Sequence, residues 1–98
     1  YTDITPLRAT VTLTNPFTTQ TGANANIVTV TDANGGYTNG DFVTFAGSGD
    51  VGGIAASVLN AEHQITYTAG NTYTITLSQN ASSVATGGGT VTAALGCG

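Results

Sequence analysis

The chain carries very little charge. Only 6% of its 98 residues are Asp, Glu, Lys or Arg, and Arg8 is the single basic residue. Soluble domains are typically about one quarter charged, so the repulsion that normally keeps protein surfaces apart is weak here. One cation cannot neutralise a series of phosphates, which excludes direct nucleic-acid binding by this chain. We expect instead a domain whose faces are covered by neighbours in a larger assembly.

Cysteine and histidine are almost absent as well. Cys97 is the only cysteine and His63 the only histidine, so the sequence supports neither an internal disulfide nor a Cys/His zinc site. A catalytic cysteine needs a nearby base, and His63 is far away in the sequence, so we interpret Cys97 as a passive thiol. No apolar run approaches the ~20 residues that cross a membrane, and no secretory signal pattern opens the chain. We therefore expect no membrane partner.

Threonine is the commonest residue, and it alternates with apolar residues along much of the chain. Alternation with a period of two is typical of half-buried strands, and the β-branched threonine side chain suits a pleated strand while its hydroxyl faces water. Six segments have this pattern: "ATVTLT" (9–14), "NIVTVT" (26–31), "DFVTFA" (41–46), "HQITYT" (63–68), "TYTITL" (72–77) and "GTVTAAL" (89–95).

These segments predict an all-β fold, a small antiparallel barrel or sandwich of about six strands. At most one short helical turn is expected, within "GIAASVLNAEH" (53–63). The length supports one β module over 1–98, which we expect to be a fragment of a larger protein. We divide it into a leading strand and loop (1–25) and a compact β core (26–95). The low-complexity segment "SQNASSVATGGG" (78–89) is predicted to be a mobile loop.

Four residues in glycine-rich loops have side-chain oxygens that calcium prefers: Asp32, Asn34, Asp41 and Asp50. Their spacing matches neither an EF-hand nor a calcium-binding nonapeptide repeat. Asp and Asn are also the usual turn formers, because their side chains accept hydrogen bonds from nearby backbone amides. We therefore interpret all four as turn residues, predict no metal or cofactor, and expect Asp41 to cap the turn before its strand.

No catalytic group is predicted. Asp41 and Asp50 lack the apolar surroundings that acid–base work by a carboxyl group requires. Strand alternation directs Glu62 and His63 to opposite faces, so they are not expected to form a dyad, and His63 is interpreted as an edge or surface residue. Ser48 lacks the Gly-x-Ser-x-Gly spacing of a hydrolase nucleophile. We predict a protein that is not an enzyme.

The stretches "GYTNGDFVTFA" (36–46) and "LNAEHQITYTAGNTYTITL" (59–77) resemble the first catalytic cysteine half-domain of ubiquitin-activating enzymes. Gly35 stands where that module has a histidine. The module does not contain the catalytic cysteine of those enzymes, so the resemblance gives Cys97 no role. The matching positions are Gly36, Gly40, Asp41, Phe42, Val43, Phe45, Leu59, Asn60, Tyr73, Thr74 and Ile75.

The whole chain is more similar still to an insertion in the nozzle or tail-tubular proteins of short-tailed bacteriophages. The similarity lies in "DITPLRATVTLTNPFTT" (3–19), "VTVTD" (28–32), "GDFVTF" (40–45), "VGGI" (51–54) and "GGGTVTA" (87–93). This resemblance implies a non-enzymatic structural domain of the virion, in a tail nozzle, tail-tubular or head-closure protein. Its implied partners are other virion subunits, including copies of itself.

Two other hypotheses remain open. The domain binds host glycans, through the loops "GSGDVGG" (47–53) and "SQNASSVATGGG" (78–89), with Phe17 and Tyr37 stacking on sugar rings. Alternatively, it is a regulatory half-domain of a ubiquitin-type activating enzyme. The absence of any nucleotide-binding or thioester-bearing segment argues against the latter.

Overall fold

A computed structural model describes residues 10–34, 37–67 and 70–96 of the chain. The fold is all-β, as predicted, and each of the six alternating segments contains a strand. The eight strands are β1 (Val11–Thr14), β2 (Phe17–Thr18), β3 (Ile27–Thr31), β4 (Phe42–Ala46), β5 (Glu62–Thr66), β6 (Thr72–Thr76), β7 (Thr86–Gly87) and β8 (Thr90–Gly96). A 3-10 turn covers Gly22–Asn24, and the helical turn α1 covers Ala56–Leu59 inside the segment predicted for it.

All strand pairs are antiparallel, and the sheet order is β1-β8-β4-β5-β6-β3-β2-β7. The two strands at the ends of this order, β1 and β7, are each followed in the chain by a strand from the opposite end of the order. β1 leads directly into β2, and β7 leads directly into β8. Each of these pairs is one long strand bent in the middle, so the sheet curls into a nearly closed six-strand barrel. The predicted number of about six strands therefore corresponds to the long strands.

The bend at residues 15–16 lies opposite the bend at residues 88–89, and the pairing of the two long strands has the same register on both sides of the bends. Thr14 pairs with Thr90 before the bend and Phe17 pairs with Gly87 after it, so two residues intervene on each strand. Asn15 has a positive φ of 47°, and its N–H donates to the carbonyl of Gly89 (2.8 Å). The Gly89 N–H in turn donates to Asn15 Oδ1 (2.9 Å). The paired strands thus turn together without losing their hydrogen bonds.

The barrel interior holds one hydrophobic cluster made of alternate strand residues. Phe17 and Phe45 meet edge to face at its centre, with ring centroids 5.0 Å apart, and both are almost fully buried. Val43 and Phe45 enter the core as the alternation predicts. The cluster consists of Leu13, Phe17, Val28, Val30, Tyr37, Val43, Phe45, Val51, Ile54, Leu59, Ile65, Tyr73, Ile75, Leu77, Ala81, Val91, Ala93 and Leu95.

The outer surface of the barrel is covered with threonine. Neighbouring strands place threonines side by side, as at Thr12 beside Thr92 and Thr31 beside Thr72. Each such pair keeps the outside of the sheet hydroxylated and uncharged. The exposed or half-buried strand threonines are Thr12, Thr14, Thr18, Thr29, Thr31, Thr44, Thr66, Thr72, Thr74, Thr76, Thr86, Thr90 and Thr92.

Two segments differ from what the sequence pattern predicts. The leading strand is not separate from the core, because Leu13 and Phe17 pack in the same cluster as residues of 26–95. The segment 78–89 is not free of the barrel either. Its residues include the strand β7 and the buried Ala81, whose N–H donates to the carbonyl of Ala25 (2.9 Å). Low complexity therefore does not make this segment a detached loop.

The bend predicts a sharp difference between two adjacent glycines. A Cβ on Gly88, at φ 115°, would lie 2.9 Å from Cδ2 of Phe17, whereas a Cβ on Gly89, at φ 76°, meets nothing within 4 Å. We expect Gly88→Ala to lower the free energy of unfolding by about 2–4 kcal/mol, from backbone strain plus overpacking. Gly89→Ala should cost about 1–2 kcal/mol, from backbone strain alone. Urea denaturation of both variants checks the order, and equal losses would contradict it.

Candidate functional site

Asp41 caps the turn that leads into β4, as predicted. Its Oδ2 accepts hydrogen bonds from the N–H (2.7 Å) and the hydroxyl (3.1 Å) of Thr38. Its own N–H donates to the carbonyl of Thr38 (3.1 Å), and its carbonyl accepts from the N–H of Ile65 (2.8 Å). All of these bonds are local or join β4 to β5. The carboxylate is therefore engaged in holding the turn.

The other two loop aspartates are also engaged with the backbone. Asp50 Oδ1 accepts from the N–H of Ala56 (2.7 Å), where α1 begins. Asp32 is fully buried, and its Oδ1 accepts from both the backbone N–H (3.0 Å) and the side-chain amide (2.8 Å) of Asn34. Both are the local turn and cap contacts expected of aspartate. In the described part of the chain, no group of three His, Cys, Asp or Glu residues could hold a metal ion.

His63 does not lie at an edge, contrary to the prediction from sequence. It belongs to β5, which pairs on both sides, and it faces Val43 in the register. Its ring is half-buried beneath α1, where Nε2 lies 3.1 Å from the Val58 carbonyl and 3.3 Å from the Leu59 carbonyl. Because both partners are acceptors, Nε2 must carry a proton. The imidazole thus satisfies carbonyls at the end of α1, while Glu62 beside it is exposed.

Ser48 is held by a side chain that acts as a clamp. Oδ1 of Asn60 accepts from the Ser48 N–H (2.8 Å), and its Nδ2 donates to the Ser48 carbonyl (3.0 Å). The Ser48 hydroxyl donates to the carbonyl of Gly49 (2.8 Å) and is not next to a base. Ser48 and Asn60 therefore join the loop after β4 to the end of α1. They form a structural contact, with no geometry of a nucleophile.

The two loops proposed for glycan binding pack against each other at a polar junction. We define the junction as Thr19, Gly52, Ser82, Ser83 and Ala85. Thr19 is buried, and its hydroxyl donates to the Ser83 carbonyl (2.7 Å) and accepts from the Ala85 N–H (2.9 Å). The Gly52 carbonyl accepts from the N–H groups of Ser82 (2.8 Å) and Ser83 (3.2 Å). The junction therefore fastens both loops to the leading strand.

Neither aromatic residue proposed for sugar stacking is on the surface. Phe17 is at the barrel centre with no exposed area, and Tyr37 is 6% exposed. Tyr37 meets Tyr67 and Tyr73 edge to face, with centroid distances of 4.9 and 4.7 Å, and its hydroxyl donates to the Asp32 carbonyl (2.6 Å). The prediction that Phe17 and Tyr37 stack on a ligand is wrong, because both rings complete the core.

A shallow polar hollow of about 380 Å³ lies on the outside of β5 and β6. The Asn39 side chain accepts from the Tyr67 N–H (2.9 Å), and the Gln64 side chain donates to the Gly40 carbonyl (3.1 Å). The remaining amide atoms, Nδ2 of Asn39 and Oε1 of Gln64, bond to none of the described residues. Together with the hydroxyls of Thr66 and Thr76, these atoms could bind a neutral polar ligand, because no charged residue lines the hollow. The lining is Asn39, Gly40, Gln64, Ile65, Thr66 and Thr76.

Comparison with known proteins adds no family to this geometry. No protein-family model, curated protein or solved structure matches the chain. Among the described residues, no helix is long and apolar enough to cross a membrane.

In the stretch 36–46, Gly40 and Asp41 form the turn and Phe42 begins β4. Gly36 lies outside the described residues, as do Gly35, Arg8 and Cys97.

Sequence reasoning missed the junction residues and the Asn60 clamp. Thr19 lies in the leading strand and loop (1–25), beyond the alternating segment 9–14. Asn15 is exposed and Pro16 is buried, so the alternation of β1 breaks at the bend and gives no continuous signal that reaches Thr19. No local pattern marks Asn60, whose partner Ser48 belongs to a different segment.

The cap on the turn before β4 gives a stability prediction. Replacement of Asp41 by Ala removes the acceptor for the Thr38 N–H and hydroxyl. We expect a loss of about 0.5–2 kcal/mol in the free energy of unfolding, as for other lost caps. Asp41→Asn keeps one acceptor oxygen and should stay within about 0.5 kcal/mol of the wild type. Urea unfolding followed by circular dichroism measures the free energy of unfolding of both variants. An Asp41→Ala variant as stable as the wild type would show that the cap has no effect.

The polar junction gives a second prediction. Thr19→Val preserves the shape of the side chain but leaves the Ser83 carbonyl and the Ala85 N–H without the Thr19 hydroxyl. We expect the free energy of unfolding to fall by about 1–3 kcal/mol. Thr44→Val, on the exposed face of β4, removes a hydroxyl that bonds to no described residue and should change stability by less than about 0.5 kcal/mol. Equal effects of the two substitutions in thermal and urea unfolding would contradict this role for the junction.

Proposed function

We propose that this chain is a non-enzymatic structural domain of a bacteriophage virion, within a tail nozzle, tail-tubular or head-closure protein. Its role is to pack against other virion subunits. The resemblance of "GDFVTF" (40–45) and "GGGTVTA" (87–93) to tail proteins suggests this setting. The observation that carries the proposal is the barrel surface, where threonine replaces the charged residues that usually cover a soluble domain.

The chemistry of this surface is suited to permanent contacts. Covering a threonine methyl is favourable, and its hydroxyl needs only one hydrogen-bond partner to offset a modest desolvation cost, whereas a buried charge must be paired to avoid a much larger one. The described acids do not interrupt the threonine face of β3 and β6. Asp32 is buried, Asp41 and Asp50 lie in loops, and Glu62 is on β5 beside Thr44 of β4. Such a face can meet a neighbouring subunit without matching charges.

The interior supports the same role. Among the described residues, the side chains of Asp32, Asp41, Asp50 and His63 bond to backbone groups, and Glu62 is exposed on β5. The polar junction and the Asn60 clamp fix the loops to the barrel. A module with few charged residues, whose loops are held to the barrel by internal hydrogen bonds, is suited to subunit packing.

The test is to locate the chain in purified particles of the phage that encodes it. We expect its peptides in the virion by mass spectrometry. The sequence has one basic residue, Arg8, and no lysine, so amine cross-linkers are unsuitable. A photo-reactive amino acid at Thr44, on the outer face of β4, should give cross-links to virion proteins. The same group at the buried Ile75 should give none. Absence of the chain from particles would contradict the proposal.

A second candidate function is the binding of a neutral host glycan in the polar hollow. Uncharged donors and acceptors on Asn39, Gln64 and Thr66 favour a hydroxyl-rich ligand. A glycan array on the whole chain tests this idea, with Gln64→Ala as the binding variant and Thr44→Ala as the control on β4. We expect any bound glycan to be lost only with Gln64→Ala. An empty array would remove this candidate and leave the structural role unaffected.

A further inference from the structure

One edge of the barrel is open within residues 10–34, 37–67 and 70–96. β3, β4, β5, β6 and β8 each pair with a strand on both sides, whereas β1 (Val11–Thr14) pairs only with β8 in the described residues. β2 continues the same chain segment after the bend and does have two neighbours, β3 and β7. The bend at Asn15 therefore takes β1 away from β3, and no described strand lies along the outer side of β1.

The backbone of this edge presents a defined set of donors and acceptors. The N–H of Asn15 donates to the carbonyl of Gly89, and the N–H of Thr19 donates to the carbonyl of Ala85. The backbone N–H and C=O groups of the odd-numbered residues in this segment therefore point toward β7 and β8. In an antiparallel ladder the residues between them direct N–H and C=O to the opposite side. Thr12 and Thr14 therefore direct their backbone groups away from β8, toward the open side.

The other end of the sheet is not equivalent. β7 is only two residues long (Thr86–Gly87), and the loop containing Val51 packs over it. A Cβ on Gly87 would lie 3.9 Å from the Val51 side chain. Next to it, the N–H of Gly49 donates to the carbonyl of Gly88 (3.0 Å). The loop 47–53 thus protects that end, and β1 is the edge on which another strand can be added.

The β1 edge lacks the devices that normally prevent strand addition. Isolated domains protect open edges with charged residues, an internal proline or a bulge. No residue from 10 to 20 is charged, and Pro16 lies beyond the end of β1. The register with β8 is regular from Val11 to Thr14, so there is no bulge. Nothing in the strand opposes another neutral strand.

We propose that β1 pairs antiparallel with β1 of a second copy of this chain, about a two-fold axis. Two such edges are complementary, because each offers the N–H and C=O groups of Thr12 and Thr14 to the same groups of the other. The pairing brings no like charges together. It sets threonine beside threonine, as β1 already does with Thr92 and Thr90 of β8. The proposal deepens the proposed function and rests on it for its biological purpose, since it names one surface by which subunits pack, separate from the outer face that carries Thr44.

The experiment measures the oligomeric state of the whole chain by sedimentation velocity over a range of concentrations. We expect the wild type to form dimers. Thr12→Lys should weaken the dimer at least about tenfold, because it brings two positive charges together. Thr12→Pro should do the same, because it removes an outward N–H without touching the bonds to β8. Thr44→Lys, the matched control, adds the same charge to the outer face of the doubly paired β4 and should leave dimerisation within about twofold.

Hydrogen exchange of the wild type provides a readout that needs no variant. The amides of Thr12 and Thr14 should become protected as the chain dimerises, while those of β4 should not change. A chain that stays monomeric, or amides that exchange equally fast at all concentrations, would overturn the proposal. A dimer weakened equally by Thr44→Lys would do so too. A dimer formed by a chain absent from phage particles would instead contradict the proposed function and leave the β1 pairing in place.

Discussion

The fold depends on the paired bend that joins β1 to β2 and β7 to β8. Asn15 and Gly89 exchange two hydrogen bonds at this point, so two strands change direction without separating. Only then can the leading strand reach β8 on one side of the barrel and β3 on the other. The enclosed core is small because the chain is short, and each large apolar side chain in it contributes about 1.5–3 kcal/mol. A bend that opened would expose Phe17, at its centre.

The strands could be predicted from the sequence and the bend could not. Alternation of threonine with Val, Ile or Leu is a local signal, and it located β1, β3, β4, β5, β6 and β8. Asn15 and Pro16 look like a strand end, because neither favours a sheet interior. Asn15 and Pro16 fit between β1 and β2 without breaking the pairing to β7 and β8 only because Gly88 and Gly89 bend opposite them. These two glycines lie far away in the sequence. Burial of Phe17 is a consequence of that long-range pairing, and for this reason it was mistaken for a surface residue.

The candidate sites divide in the same way. The cap at Asp41 involves a residue three positions away, so turn chemistry was enough to predict it. The contacts of His63 with the end of α1 depend on how the helical turn lies over β5. The same holds for Thr19, whose partners Ser83 and Ala85 come from the other end of the chain. Polar residues that serve tertiary contacts have no distinctive spacing, and only the fold identifies them.

The adjacency of the first and last strands also constrains how the domain folds. β1 pairs with β8, so the barrel cannot close until nearly the whole chain is available. Most contacts of the leading strand are therefore non-local, a topology associated with folding in milliseconds to seconds. Until β8 arrives, β4 also lacks one of its two neighbours and exposes a neutral edge. During synthesis this domain therefore passes through an unsealed sheet, whose open edges favour aggregation until the last strand is made.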